Sequence, residues 1–427
     1  MSANALTATT WYEQTGAAPP ETATLSDLAP AYDIAIVGGG LAGMSLLRLL
    51  GEAGVSAVLF DRGKIGSGAS GRNGGFCSPG WAADDDKIAR LVGSEAARCL
   101  DELALGGVAW MRDRLRRPGY EAASPKDGIL TVSLSGKPPA NPETGSELLV
   151  GDRLREETTS PRYRFGSASD AGFQFHPLNF LRALARETIT GGQTVIENAM
   201  VDRIERQQGC FVLATGGKSI RAQKIVMATG GYGGRETGRL SRILLPIRTY
   251  IGVTDPMPEL LDAHIPSRYA IGDTRRAGNY YRRLADGRLL WGLGITAFGT
   301  LEVETVRRMV RKDLGKIYPA LARDMDKAGI GIDTAWAGNM GYARHFMPYV
   351  GETEPGLFTI AGFGGHGMNT APAAAKALCQ AMMGETGALA PFAAVPKQAT
   401  FGSVGLVAAE ASYRWRQIND RLAEALT

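Results

Sequence analysis

The chain has 427 residues, 44% of them hydrophobic and 21% charged, with a formal net charge of +4. That composition suits a globular protein of about two to three domain equivalents, and its scattered basic residues, without a polybasic block, exclude a nucleic-acid surface. No run approaches the ~18 apolar residues of a membrane span, and Cys77, Cys99, Cys210 and Cys379 lie far apart with no C-x-x-C, so neither zinc nor a disulfide framework is expected and a reducing, cytoplasmic setting fits.

Residues 1–30 read as a polar arm on the surface, with Trp11 and Tyr12 as its only sticky side chains; an anchored and a disordered arm both remain open. No charged region followed by an apolar core marks a signal peptide. The apolar run from Asp33 to Val37 predicts a buried strand. It turns through Gly38-x-Gly40-x-x-Gly43 into the helix formers Met44 to Leu50. In such a unit Gly38 permits the tight turn, Gly40 lets the backbone approach a pyrophosphate, and Gly43 lets helix and strand pack closely. Leu41 and Ala42 fall in the first helical turn, whose free N–H groups attract phosphate. A second strand, Ala57–Phe60, ends in Asp61, 18 residues past Gly43. That is near the ~20 expected of a carboxylate that accepts from a ribose hydroxyl. A plain glycine-rich turn is the bland alternative, but strand, turn, helix, strand and acid in this order favour a dinucleotide.

The next stretch, Arg62 to Phe76, holds six glycines and predicts an irregular loop covering the cofactor. Arg62, Arg72 and Arg344 are candidates for anion contacts. Residues 84–117 read as helical and residues 118–170 as short strands between prolines. Pro177 opens a helix to about Thr190. A meander follows and ends in Ala228-Thr229-Gly230-Gly231, either a second backbone approach to the cofactor or a strand-ending turn. Strand-like text over 243–300 includes an Asp286-Gly287 hairpin signal, and 302–322 reads as an amphipathic helix. Near the carboxy end a buried strand, Leu357–Ala361, leads through Gly362–Asn369 into an apolar helix. This repeats the arrangement of the amino end, so the strand is expected to rejoin the first sheet. The expected division is an arm (1–30), a discontinuous nucleotide domain (31–90, 176–245 and 335–390), a substrate domain (91–175 and 246–334) and a carboxy-terminal helix (391–427).

Together, the Val37–Gly43 fingerprint with Asp61, the Gly66–Gly75 loop, Ala228-Thr229-Gly230 and Gly362-Phe363-Gly364-Gly365-His366-Gly367 resemble the D-amino acid oxidase-like superfamily of FAD-dependent amine oxidoreductases. Glycine oxidase and monomeric sarcosine oxidase belong to that superfamily; Asn279-Tyr280-Tyr281-Arg282 and the terminal helix look most like its gamma-glutamylputrescine oxidase branch. The resemblance covers roughly residues 10–425. It implies an α/β, Rossmann-type FAD-binding domain beside a smaller antiparallel-sheet substrate domain, α+β overall. It implies FAD contacts from Gly38, Gly40, Leu41, Ala42, Gly43, Asp61 and Arg62 of the first unit. From the loops it implies Gly68, Ala69, Ser70, Arg72, Asn73, Gly74, Gly75, Val201, Thr229, Gly230, Gly364, Gly365, His366, Gly367, Met368 and Asn369. Two departures matter. Trp336–Val350 lacks the cysteine that bonds flavin in sarcosine oxidases, which implies non-covalent FAD. Asn369 stands where those enzymes carry a carboxylate-binding lysine, which disfavours small N-methyl amino acids.

The implied activity is oxidation of a C–N bond of an amine or amino acid to an imine, hydrolysed to an aldehyde or keto product, with oxygen reduced to hydrogen peroxide. The partners are a small amine, gamma-glutamylputrescine-like or a related primary or secondary amine, and oxygen. No metal is expected, and the assembly is a monomer or small homo-oligomer. His366 reads two ways, as a group acting near the flavin or oxygen, or as a brace for its loop. Tyr250, Tyr281, Arg282 and Trp336 are pocket candidates. A dehydrogenase passing electrons to a quinone or protein would share every motif; an NAD enzyme or a non-catalytic flavin binder are the remaining alternatives.

Overall fold

The computed structural model describes residues 4–134, 137–138, 145–233, 240–275 and 278–425. Among them the strands form an eight-stranded and a nine-stranded sheet. The apolar strand Ala31–Val37 sits at the centre of the first, parallel to Ala57–Phe60 on one side and to Lys218–Met227 on the other. Leu357–Ala361 adds in parallel beyond Lys218–Met227, and Thr194–Ile196 beyond Ala57–Phe60. Strands buried on both faces need helices over them. Leu41–Glu52 and Gly367–Met382 serve here, burying Leu46, Leu47, Leu50, Ala374 and Leu378 in one core with Ile36, Val58 and Val226. This is the α/β half of the fold.

The second sheet is mostly antiparallel and runs from Ile332–Tyr342 through Leu245–Thr254, Leu289–Thr296 and Tyr280–Arg283 to Ala270–Asp273, Lys126–Ser133 and Phe165–Gln174. Asp286-Gly287 does lie in the turn between Tyr280–Arg283 and Leu289–Thr296, where Gly287 takes φ +76°. The helix Val303–Ile317 covers one face of the sheet with Val306, Val310 and Leu314; a Cβ on Gly252 would lie 2.8 Å from Val310 Cγ2, so the sheet's glycine admits this contact. Among the described residues no helix is long and apolar enough to cross a membrane.

Several elements differ from the sequence expectation. Residues 1–30 are not merely a surface arm: Trp11–Gln14 forms a helical turn, closed by a Thr10/Glu13 capping box, and Tyr12 is 0% exposed. Phe76–Cys77 and the strand Ile332–Tyr342 join the second sheet, although the sequence groups Phe76–Cys77 and, from Ala335 on, that strand with the nucleotide unit. Conversely, Ser94–Leu115, grouped by the sequence with the substrate domain, packs into the first core through Leu100, Ala104 and Met111, beside Ile88 of Asp85–Val92. Gly107 makes this possible, because a Cβ there would meet Asn369 O at 1.9 Å. The 302–322 helix breaks at Tyr318 (φ −125°, ψ 73°) ahead of Pro319, which disfavours helical geometry in the residue before it. Among the described residues of the 391–427 segment, a helical turn at Ala390–Ala393 precedes the long helix Ser403–Ala425.

Candidate cofactor and substrate site

The first strand runs out at Gly38, which takes φ +117°; a Cβ there would meet Ala228 O at 2.5 Å, and one on Gly43 would meet Gly38 O at 2.0 Å. Only glycine permits both contacts, so the helix begins directly against the turn. Its amino end has no side-chain cap. Leu41 N donates to Ser70 Oγ at 2.9 Å, which couples this turn to the second glycine loop. Asp61 accepts from Gly39 N (2.7 Å) and Gly63 N (2.8 Å), so its carboxylate ties the two turns together while it faces the cavity. The second loop is less irregular than its glycines suggest: Ala69–Arg72 makes a helical turn, and Asn73 Nδ2 donates back to Ala69 O and Ser70 O.

These turns open on a cavity of about 1550 Å³ between the sheets. Its wall carries Gly38, Gly40, Leu41, Ala42, Asp61, Arg62, Gly68, Ala69, Ser70, Arg72, Asn73 and Gly74. Val201, Thr229, Gly230, Gly364, Gly365, His366, Gly367 and Met368 complete that part of the wall. Gly43 and Gly75 stand behind it; a Cβ on Gly75 would meet Phe175 O at 2.2 Å. Asn369 is also off the wall, because its Nδ2 donates to Gly80 O (3.0 Å) and Ala104 O (3.4 Å) between helices.

Of the expected pocket residues, His366 alone reaches the cavity, and its Nε2 donates to the carbonyls of Ser78 (3.3 Å) and Pro79 (3.1 Å), as a brace would. Tyr281 and Tyr250 are corrected by strand parity, and Arg282 and Trp336 by their partners. Successive side chains leave a strand on opposite faces. Tyr280 and Thr249 therefore face the cavity, while Tyr281 stacks on Trp291 at 4.3 Å and bonds Tyr318 Oη at 2.8 Å in the second core. Tyr250 is fully buried, with its hydroxyl 2.6 Å from Thr296 Oγ1. Arg282 donates to Gly74 O and Phe175 O, and Trp336 Nε1 to Arg72 O.

Side chains the sequence did not single out complete the wall: Asn339, Met340, Tyr342, Phe363 and, from the tail helix, Glu410, Tyr413 and Arg416. Burial pushes the Tyr342 phenol up to about 12, so it stays protonated near neutral pH. Arg344, at the rim, lies over the Phe401 ring at 5.9 Å. Nothing local singles out Tyr342 within Trp336–Val350 or places the tail helix over this cavity.

The wall fits FAD on its own chemistry. The helices Leu41–Glu52 and Gly367–Met382 both start there without a cap from their own N-cap residues; Ser70 takes Leu41 N, and the N–H groups that follow suit anionic or electron-rich edges. Thr229 Oγ1 and Asn339 Oδ1 are buried polar atoms on the wall with no protein partner; a polar ligand would satisfy them. No cysteine lies on the wall, so non-covalent binding fits.

A family model described as FAD dependent oxidoreductase matches residues 33–381. Gamma-glutamylputrescine oxidoreductase of Escherichia coli (strain K12) is 29% identical over 377 residues, covering 85% of this chain and 86% of its own. Probable oxidoreductase OrdL of Rhizobium meliloti (strain 1021) is 28% identical over 391 residues, 88% of each chain. The crystal structure of glycine oxidase from Geobacillus kaustophilus superposes with a TM-score of 0.66 at 18% identity, covering 82% of this chain and 94% of the other.

Proposed function

Because the chain belongs to the family of FAD-dependent oxidoreductases, we propose that it oxidises the C–N bond of an amine, gamma-glutamylputrescine-like or a related primary or secondary amine, with oxygen as acceptor. The observation that carries this reading is one cavity whose wall holds both the glycine turns and the aromatic side chains Tyr280, Tyr342 and Tyr413. The relative named gamma-glutamylputrescine oxidoreductase, matched over most of both chains, supports the substrate class.

Bound FAD would supply the two-electron acceptor for the C–N bond. Gly40 and Ala42, at the start of Leu41–Glu52, would hold the pyrophosphate, and Asp61 the ribose. The free N–H groups at the start of Gly367–Met382 would stabilise negative charge developing beside them. The amine must be neutral to release hydride, because an ammonium has no lone pair. Aromatic walls favour that form by withholding water from the cation. Asp61, Asp273 and Glu410 on the wall accept from backbone N–H groups of Gly39, Asn279 and Ala297, and release of hydride from a neutral amine assigns no base to them or to Asp84 and Asp420.

The test is an anaerobic screen of amines scored by loss of flavin absorbance, followed by stopped-flow reduction against pH. The expected profile rises with one ionisation below the free-amine value of ~10.4; a flat profile from about pH 6 to 10 would contradict neutral-amine binding. Rapid reoxidation by oxygen supports the oxidase, and slow reoxidation with fast dye reduction replaces it with a dehydrogenase.

A further inference from the structure

We propose that residues 4–15 form a strap that positions the cofactor loop Gly66–Gly75, with Arg72 as the positioning residue through which it acts. The inference stands on the family's cofactor and is independent of which amine is oxidised.

The strap is built into the second sheet. Ala5 N donates to Leu301 O at 3.0 Å, and Ala337 N donates to Ala5 O at 2.8 Å. Arg72, 7% exposed, then joins loop, strap and sheet with one guanidinium. Its Nε donates to Ala337 O (3.0 Å), and its Nη2 to Ala8 O (2.8 Å) and Ala5 O (3.4 Å). The other end of the loop is held in the same way. Arg282 Nε donates to Gly74 O (2.7 Å), while its Nη2 reaches Phe175 O (2.9 Å) and the strap's Tyr12 Oη (3.2 Å). Tyr12 packs edge-on against Trp336 at 5.7 Å, and Trp336 Nε1 donates to Arg72 O at 2.9 Å. Leu6 and Thr7 reach the cavity wall itself.

These contacts have a consequence for the cofactor. A buried guanidinium that loses its acceptors pays a large desolvation penalty. Without the strap, Arg72 loses Ala5 O and Ala8 O and Arg282 loses Tyr12 Oη, so the two guanidinium groups that fix the ends of the loop are re-solvated and hold it less firmly. Ser70, which holds Leu41 N at the dinucleotide turn, lies inside that loop, so the disturbance reaches both halves of the site.

The test uses the full chain. Arg72→Lys keeps the charge but loses the fork that spans strap and sheet; Leu6→Trp enlarges the strap where it meets the cavity. The readouts are FAD dissociation from the apoprotein, the flavin absorption band and the melting of the apoprotein. For Arg72→Lys, FAD affinity should fall about ten- to a hundredfold. Leu6→Trp should shift the flavin band without shifting apoprotein melting, which a merely structural role does not produce. Deletion of residues 2–15 should weaken FAD binding likewise, and a synthetic peptide of residues 1–18 should restore affinity and band position. Wild-type affinity and band position in Arg72→Lys and Leu6→Trp would overturn the proposal even where the deletion fails to fold. None of these readouts uses an amine, so they stand or fall apart from the substrate reading.

Discussion

Two terminal segments close the same cavity by opposite means. The amino-terminal strap lies inside the protein: Tyr12 is fully buried, and its acceptors engage Arg72 and Arg282. The carboxy-terminal helix lies outside. It touches the second sheet through Tyr413 Oη, which accepts from Ile295 N at 3.1 Å, and Glu410 Oε2, which accepts from Ala297 N at 2.8 Å. It leaves Val404, Val407, Trp415 and Ile418 more than half exposed. The helix also follows Phe401 and Gly402, both with positive φ, just after Thr400 is anchored to Arg242 O. Burial and charge-assisted bonds make the strap part of the global fold, whereas few buried contacts place the tail at the low end of local stability.

The largest expected effect breaks the strap. Tyr12→Ala removes a fully buried aromatic ring and the hydroxyl that serves Arg282. The loss should be about 3–5 kcal/mol in urea unfolding of the apoprotein, with FAD lost on desalting. A cost below ~1 kcal/mol, the range of surface changes, would mean the strap is peripheral.

A middle-sized effect is set by His176, which packs on Tyr12 (4.8 Å) and Trp11 (5.5 Å) and whose Nδ1 accepts from Asn179 N at the start of Pro177–Thr190. Burial, and then Arg282, push its pKa from 6.5 down to about 3; Arg182 opposes the charge as well. The fold thus favours neutral His176. Its contribution is fully present above pH 6.5 and is lost as the pH falls through that window toward 3. His176→Asn keeps a capping acceptor without the titration. The stability advantage of the wild type over this variant should shrink steadily between about pH 7 and pH 4. A difference that does not change with pH would remove His176 from the acid response of the strap.

What was legible in the sequence follows from how local each interaction is. The first turn was readable because strand, glycine turn and helix follow one another directly, and Gly43 packs on Gly38 five residues back; that Gly38 also makes room for Ala228 was not local and spacing did not show it. The pair Tyr280-Tyr281 was not readable, because two aromatic residues in succession do not say which faces the ligand, and register decided it. Arg72 suggested an anion contact, since a cation beside a cofactor loop ordinarily meets a phosphate, and Arg282 suggested a pocket residue. Their partners are instead Ala8 and Tyr12, 64 and 270 residues away, which no local pattern reveals. The tail was recognisable as a helix, but its place over the cavity depends on Ile295 and Ala297.

The smallest effect sharpens the contrast from the other side. Tyr413→Phe removes an acceptor for Ile295 N and Gln417 Nε2 but leaves the ring on the cavity wall. The net cost of one such neutral bond is about 0.5–1.5 kcal/mol. Because it falls on a separately opening segment, it should raise the open population of the tail about two- to tenfold without lowering global stability. Hydrogen exchange should therefore quicken at Ile295 and along Ser403–Ala425, while apoprotein melting and FAD retention stay at wild-type values. The amine's KM should rise with kcat little changed if the tail only encloses the substrate chamber. If melting falls as far as in Tyr12→Ala, the tail and the strap belong to one cooperative unit and the contrast between them fails.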